Sequence, residues 1–482
     1  MSRLHCLCAT KSFLAAPALA LLLAASLPAR AADGVLYLDE SGAAQHRDAV
    51  TEITDCPAAL AGGWYVVEGD VTCDSGATVV ISGDVNLILG NGSSLTVTQG
   101  ADGDAGIRVA SGDSLTVYAQ SADSAVMGAL AATGGEDGAG IGGGIGEGGG
   151  AITLHGGKVT AISGSYGAGI GGGSGGDGGR ITITGGMITA ANESSYSGAG
   201  IGGGAYGAGG AITITGGTVK AASYTGAGIG GGRGGGAGGT ILISGGVVTA
   251  VSNYSGAGIG GGSYGEGGQI TITGDAQVTA SSVLAGAGIG SGGTNPTPVP
   301  AGTITIDTTG AVSATGGGEE FPWSAGANIG QGGSTLFAPG GGPGAGIDSF
   351  ISPPSQSVAE GGSASFACVT AMADAPAPSF AATWEFSANT APPSWSAVPG
   401  ATGVILTRSP AAAGMAGLYR CAVTLTGLAG DPASSITYAS GPVRLTVTPA
   451  AGAAAIPALE PAMLALLALL LGGAGARTRR GG

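Results

Sequence analysis

The chain has 482 residues, of which 104 are glycine and only 9% are charged, with a formal net charge of −15. Glycine at this level without a Gly-X-Y period excludes collagen, and the low charge content excludes a highly charged disordered chain. The balance of 30 Asp and Glu against 15 Lys and Arg argues against a nucleic-acid partner, whose phosphate contacts need clustered cations.

Residues 1–31 carry Arg3 and Lys11, then the apolar run FLAAPALALLLAASL, then Ala29-Arg30-Ala31. A basic start, a short apolar core and an A-x-A ending predict a cleavable secretory signal and an exported protein. Cys6 and Cys8 precede the apolar run and would leave with it, so Cys56, Cys73, Cys368 and Cys421 remain. An even number of cysteines in an exported chain points to disulfides rather than to metal or redox chemistry.

Residues 64–130, beginning WYVVEGDVTC, alternate apolar and polar positions with modest glycine and read as the first rungs of the repeat that follows. A Cys56–Cys73 bond is expected to pin their open edge. From 138 to 330 three motifs recur. Gly-Ala-Gly-Ile-Gly places its Ile at 141, 170, 201, 229, 259 and 289, and GANIG adds Ile329, at spacings of 29, 31, 28, 30, 30 and 40 residues. Ile-Thr-Ile or a variant begins at Ile152, Ile181, Ile212, Ile241, Ile270 and Ile304; Val-Thr-Ala or a variant begins at Val159, Ile188, Val219, Val248, Val278 and Val312. From the second motif to the third is 7 residues in four copies and 8 in the last two, so length changes fall in the Ser/Asn/Tyr turn that comes after.

A fixed period of this size, built from short alternating segments with no helical stripe, predicts an all-β parallel β-helix, a solenoid, over 32–347. Ile would sit above Ile, and each backbone group would bond to the rung about 4.8 Å above or below. Glycine costs about 0.5–1 kcal/mol relative to alanine inside a regular element, whereas one buried aliphatic side chain returns about 1.5–3 kcal/mol. A lone rung is therefore marginal and needs its neighbours. The glycines are expected at corners of positive φ, and where GIGGG passes over the core with no room for a Cβ. A polyglycine-II bundle is the competing reading, against which stands the pleated strand that Ile-Thr-Ile requires.

The combination of GDVNLILGNGSSLTV, SLTVYAQS and the GAGIGGG/ITITGG repeats resembles bacterial surface proteins with Gly-rich, right-handed parallel β-helices. Some of these are described as carbohydrate-binding, so the resemblance implies a surface role and polysaccharide or cell-surface glycans as partners.

Candidate chemistry is sparse. After removal of the signal only His46 and His155 remain, and His155 stands where other rungs have Thr184, Thr215, Ser244 and Thr273, as an outward variant. Glu147, Asp177 and Glu266 share a turn position, but Ala208 and Ala237 interrupt them, so a solvated turn competes with an acid/base or calcium site. No catalytic residue, metal or cofactor is assigned. Tyr166, Tyr196, Tyr224 and Tyr254 lie four or five residues before the motif Ile, one per rung. They are the candidate glycan-stacking residues, expected as a column of rings about 4.8 Å apart; a ladder that merely stiffens the turn is the alternative. Tyr206 and Tyr264 form a sparser pair in the glycine corner, and Thr153, Thr182, Thr213, Thr271 and Thr305 a column broken by Leu242. Regular Thr rows can bind ice, but Thr is common on a strand's outer face.

From about 348 the composition changes: Cys368, Trp384 and GLYRC ending at Cys421 follow at spacings of 16 and 37 residues, with Tyr419 two before the second cysteine. Residues 348–448 resemble a bacterial immunoglobulin-like domain, which implies a β-sandwich with Cys368 bonded to Cys421 over Trp384. Residues 449–482 hold an apolar run at 462–476 that would reach about 23 Å as a helix, short of a bilayer's roughly 30 Å core, followed by Arg477, Arg479 and Arg480. With Ile456-Pro457-Ala458-Leu459 before it, this tail resembles the IPTL-CTERM and PEP-CTERM sorting signals of Gram-negative bacteria. That likeness implies a short hydrophobic C-terminal helix, contact with the inner membrane and sorting machinery, and delivery to the cell surface, outer membrane or extracellular matrix; a simple membrane anchor is the alternative. Together these features point to a secreted, non-enzymatic, adhesin-like or matrix protein. The alternatives are a polysaccharide lyase or hydrolase acting on acidic polysaccharide, and a purely structural surface protein.

Overall fold

The computed structural model describes residues 34–449, apart from 75, 99–100, 193, 294–298, 309, 318–328, 331–346, 353–354, 373–378, 389–392, 427–434 and 441. The export signal over 1–31 and the sorting tail from 450 onward lie outside the described residues. Among the described residues no helix is long and apolar enough to cross a membrane.

The chain is an all-β parallel solenoid in which every turn has three faces. A short face holds the motif Ile with its following Gly, as in Ile170–Gly171 and Ile201–Gly202. A first long face holds the Ile-Thr-Ile strands, as in Arg180–Ile183 and Ala211–Ile214, and a second long face the Val-Thr-Ala strands, as in Met187–Asn192 and Thr218–Ser223. The second long face is a nine-stranded parallel sheet running from Asp70–Cys73 to Val312–Thr315. Its register is unslipped over the repeats: Ile170 lies on Ile201, Ile181 on Ile212, and Ile188 on Val219. All three columns point into one core, with Ile170, Ile201 and Ile229 fully buried.

The solenoid begins upstream of the obvious alternation, with Thr51–Ile53 and Ala59–Val67 already in parallel register. Cys56 and Cys73 form a disulfide across this start. Before it, Val35–Leu38 and Ala44–Arg47 form an antiparallel hairpin that lies against the solenoid and is not one of its rungs.

The glycine of the short face is confined for a reason that differs from the expected one. Gly202 has φ +133°, and a Cβ there would stand 2.0 Å from the carbonyl oxygen of Gly230. The obstacle is the backbone of the next turn rather than the core beneath. Because Gly171 meets Gly202 and Gly230 meets Gly260 in the same way, at 2.0 Å each, the column holds glycine from Gly142 onward, whereas Arg108 takes the same register position one turn earlier.

At the far end, Ser435–Ala439 pairs in parallel with Thr303–Thr308, so the first long face continues into the C-terminal strands. These strands form two sheets, an antiparallel one of Ile347–Ser352, Ala364–Met372 and Ile405–Arg408, and a mixed one built around the antiparallel pair Ser379–Ser387 and Gly417–Thr426, with Ser355–Ala359 parallel to Val443–Thr448. A Cys368–Cys421 disulfide joins the two sheets. Trp384 is fully buried and donates its indole N–H to the Gly403 carbonyl at 3.0 Å, and the Tyr419 hydroxyl donates to the Met415 carbonyl at 2.8 Å. Arg420, almost fully buried, closes the junction: its guanidinium pairs with Glu385 and with both carboxylate oxygens of Asp307, and lies 4.4 Å over the Trp395 ring.

The two kinds of constraint separate in a mutational test. Ile201→Ala is expected to cost about 2–5 kcal/mol, while Gly202→Ala, which forces backbone apart between turns, should cost at least as much despite adding only a methyl group. Gly42→Ala, with φ +79° but nothing within 4 Å of its new Cβ, should cost only about 1 kcal/mol. Chemical denaturation followed by circular dichroism ranks the three.

Candidate functional site

The tyrosines sit at the corner between the second long face and the short face, where most changes in repeat length fall. A buried polar column holds that corner. Asn192, Ser223, Ser252 and Ser282 stack in register at the end of the second long face and are all buried. Asn192 donates through Nδ2 to the carbonyls of Ser165 at 2.5 Å and Gly167 at 2.6 Å, Ser223 donates to Gly198 at 2.8 Å, and Ser252 and Ser282 donate to the carbonyls of Tyr224 and Tyr254, each at 3.4 Å. A corner that cannot follow a strand ladder thereby has its carbonyls satisfied from inside. The column lies four residues after the start of each Val-Thr-Ala motif, a signal present in the sequence but masked there by the variable turn around it.

On this support the four tyrosines reach the surface. Tyr196 and Tyr254 are exposed and Tyr166 and Tyr224 half-buried. Their rings do not make the single evenly spaced column expected. Tyr166 stacks on Tyr196 at 5.8 Å and Tyr224 on Tyr254 at 5.6 Å, the latter with planes only 9° apart. Between the pairs the Arg233 guanidinium lies 4.6 Å over the Tyr196 ring and takes that face. The spacings exceed the strand repeat because side chains leaving a loop are not held to the ladder distance. Tyr196, Tyr224, Tyr254, Arg233 and the second-column Tyr264 together line an open groove of about 410 Å³, with the exposed Ser195 and the buried Thr225, Ser255 and Ser263 also at its walls.

The other sequence candidates are placed apart from this groove. Glu147 accepts from the Arg108 Nε at 2.9 Å and from the Gly144 N–H at 3.3 Å, and the Arg108 bond holds its carboxyl below the usual carboxylate range. Asp177 accepts from the Ala208 N–H at 2.8 Å and so fastens the next turn. The threonine row is in register on the first long face, half-buried, with Leu242 interrupting it. His46 is exposed on the hairpin.

His155 is not a plain outward variant. Tyr37 of the hairpin, Trp64 and Tyr118 form one aromatic cluster with centroid distances of 4.9–5.2 Å, and His155 extends it at 5.0 Å from Tyr118. Its Nδ1 is hydrogen-bonded to the Thr184 hydroxyl at 2.8 Å. This cluster seats the hairpin on the solenoid beside a cavity of about 490 Å³ that Leu38, Asp39, Glu40, Met127, Met187 and a floor of glycines complete. Its members are scattered over the sequence at no fixed period, so pattern reading passes over them. Burial lowers the His155 pKa from its ordinary value of 6.5, and the Glu40 and Asp39 carboxylates oppose that shift.

The folded state resists protonation, so the unfolded chain takes up the proton first as pH falls through about 6.5; the stability tied to His155 is complete above that range and declines below it. Lowering the pH from about 7.5 to 5.5 should therefore loosen the hairpin, read as a change in Trp64 fluorescence and faster amide exchange at 35–47, and His155→Gln should flatten that part of the profile.

Residues 152–174, 181–205, 212–233, 241–263 and 270–293 match the model of a family described as Beta helix repeat. A comparison with curated proteins finds no match. Among solved structures, the crystal structure of the N-terminal four Ig domains of Dscam1 isoform 4.44 aligns at 16% identity over 26% of this chain and 26% of that one, with a TM-score of 0.15. The chain thus spans about a quarter of that solved chain, and the likeness carries no argument. The five matched segments coincide with five successive turns of observed unslipped register, so the repeats of residues 152–293 are similar to the beta helix repeat family and their fold is a parallel β-solenoid.

Proposed function

We propose that this is an exported, non-enzymatic surface or matrix protein that binds glycans along the tyrosine corner of its solenoid. The observation that carries the reading is the exposure of paired aromatic rings in a groove that also holds Arg233 and the exposed Ser195, on a rigid scaffold. Pyranose rings present apolar C–H faces that suit aromatic platforms, while their hydroxyls need nearby hydrogen-bonding partners. The parallel β-helix is also a fold shared by polysaccharide-binding and polysaccharide-acting proteins.

The enzyme alternative draws less support. Glu147, the first carboxylate an acid/base reading would use, is committed to Arg108, and a carboxyl held below its usual range is a poor proton donor at neutral pH. The remaining parts of the proposal follow from sequence: residues 1–31 act as an export signal, 348–448 as an immunoglobulin-like spacer, and 449–482 as a sorting tail that delivers the protein to the surface or matrix of a Gram-negative cell. The disulfide over buried Trp384 and the Tyr419 bond to the Met415 carbonyl support the immunoglobulin-like reading.

Binding of the full chain to a polysaccharide array tests the glycan reading. A Tyr196→Ala/Tyr224→Ala double variant should lose at least about tenfold in affinity, given roughly 1 kcal/mol for each aromatic contact, while remaining folded by circular dichroism with only a small fall in melting temperature, since Tyr196 is exposed and Tyr224 half-buried. An absence of binding to every glycan would leave only the structural role.

A further inference from the structure

Two tyrosines occupy backbone that their neighbours reserve for glycine. Tyr206 and Tyr264 have φ of +69° and +66°, and among the described residues they alone are non-glycine with positive φ. In earlier turns the same corner position is Gly146, at +72°, and Gly175, at +77°, joined to one another's turns by equivalent N–H to carbonyl bonds. A bulky side chain in this region costs about 1–3 kcal/mol. Burial does not offset that cost, since Tyr206 is 63% and Tyr264 44% exposed. Strain maintained at the surface on a rigid scaffold points to a ligand.

The turn between these two tyrosines is the one that carries Arg233. It holds one extra residue, so that both Gly234 and Gly235 have positive φ, at +88° and +100°. The Tyr206 ring lies against Gly234, where a Cβ would stand 2.4 Å from the ring. The Tyr206 N–H donates to the Arg233 carbonyl at 2.6 Å. The extra glycine thus makes space for one aromatic ring and sets Arg233 between two strained tyrosines, on the floor that Tyr224 and Tyr264 wall.

Arg233 is half-buried, its flat face is taken by Tyr196, and no carboxylate among the described residues lies within ion-pair distance of it. Lys158 and Arg408 are likewise half-buried without an ion pair among the described residues, but only Arg233 of the three lines the tyrosine groove. Stacking uses the faces of a guanidinium and leaves its planar fork free for a two-oxygen anion. Repulsion from the acidic surface elsewhere is screened within about 8 Å at physiological salt, so the local contact decides.

We propose that this groove selects anionic sugar units, with the carboxylate or sulfate on Arg233 and the pyranose faces on Tyr224 and Tyr264. The inference rests on the glycan-binding reading and narrows it to acidic polysaccharide. The full chain is tested against immobilised alginate, which offers carboxylates, dextran sulfate, which offers sulfates, and neutral dextran. The wild type is expected to bind one or both polyanions at least about tenfold more tightly than dextran, the worth of one charged hydrogen-bonded contact; which one it prefers identifies the source of the anion. Arg233→Gln should bring polyanion binding down to the dextran level at an unchanged melting temperature, and Arg233→Lys should not restore it. Tyr264→Gly should weaken all binding while holding or raising the melting temperature, because glycine relieves the backbone; a tyrosine of purely structural use would leave binding as it was. In the unmodified chain, 1 M NaCl should abolish the preference, a reading independent of any variant. Full polyanion binding by Arg233→Gln, or a wild-type preference for dextran, overturns the charge assignment while leaving glycan binding intact if the Tyr196/Tyr224 double variant still loses it. Failure to retain any polysaccharide removes both.

Discussion

Turn-to-turn backbone contact at the short face governs this molecule. Where Gly202 meets Gly230, two main chains approach so closely that no side chain fits between them, and the same contact recurs between successive turns. Hydrogen bonds from the Ile201 N–H to the Gly228 carbonyl and from the Gly203 N–H to the Gly230 carbonyl tie the two turns together at this point. The motif isoleucines, fully buried directly beside the contact, supply the apolar area that makes the approach favourable. Neither element holds alone, since the glycines lower the intrinsic stability of each turn and the isoleucines have nothing to bury against until a neighbour is in place.

A register unslipped over the repeats turns sequence period into spatial columns, and each column then has its own chemistry. Inside the variable corner, Asn192, Ser223, Ser252 and Ser282 satisfy carbonyls that no strand reaches. Outside it, the tyrosines inherit a rigid base from that buried row, which lowers the entropy lost when a ligand settles on them. Arg233 breaks the aromatic series into two pairs and in doing so supplies the single cation of the groove. The same logic accounts for the quieter columns: Glu147 and Asp177, at similar turn positions, fasten neighbouring turns through Arg108 and the Ala208 amide.

How much of this the sequence discloses depends on whether a feature repeats. The isoleucine columns, the three strand motifs and the tyrosine series are periodic, so spacing alone places them in register. The reason for the short-face glycine was only half legible, because a contact between two backbones leaves no residue type other than its own to mark it. The cluster of Tyr37, Trp64, Tyr118 and His155 was not legible at all, since it assembles from a hairpin and several separate turns with no common interval. The stacking of the tyrosines in pairs also escapes pattern reading, because it depends on the rotamers of loop side chains and on the one arginine among them. The Arg420 junction with Asp307 joins positions 113 apart and is beyond any local signal.

The placement of most length changes in one corner has an evolutionary reading. With strand segments of near-constant length and a bend of variable length between them, a whole coil can be duplicated or lost by recombination without disturbing the packing of those that remain. The recognition surface rides on that bend, so such a molecule can lengthen, shorten or exchange its contact residues one coil at a time, and its reach and its selectivity are free to drift separately.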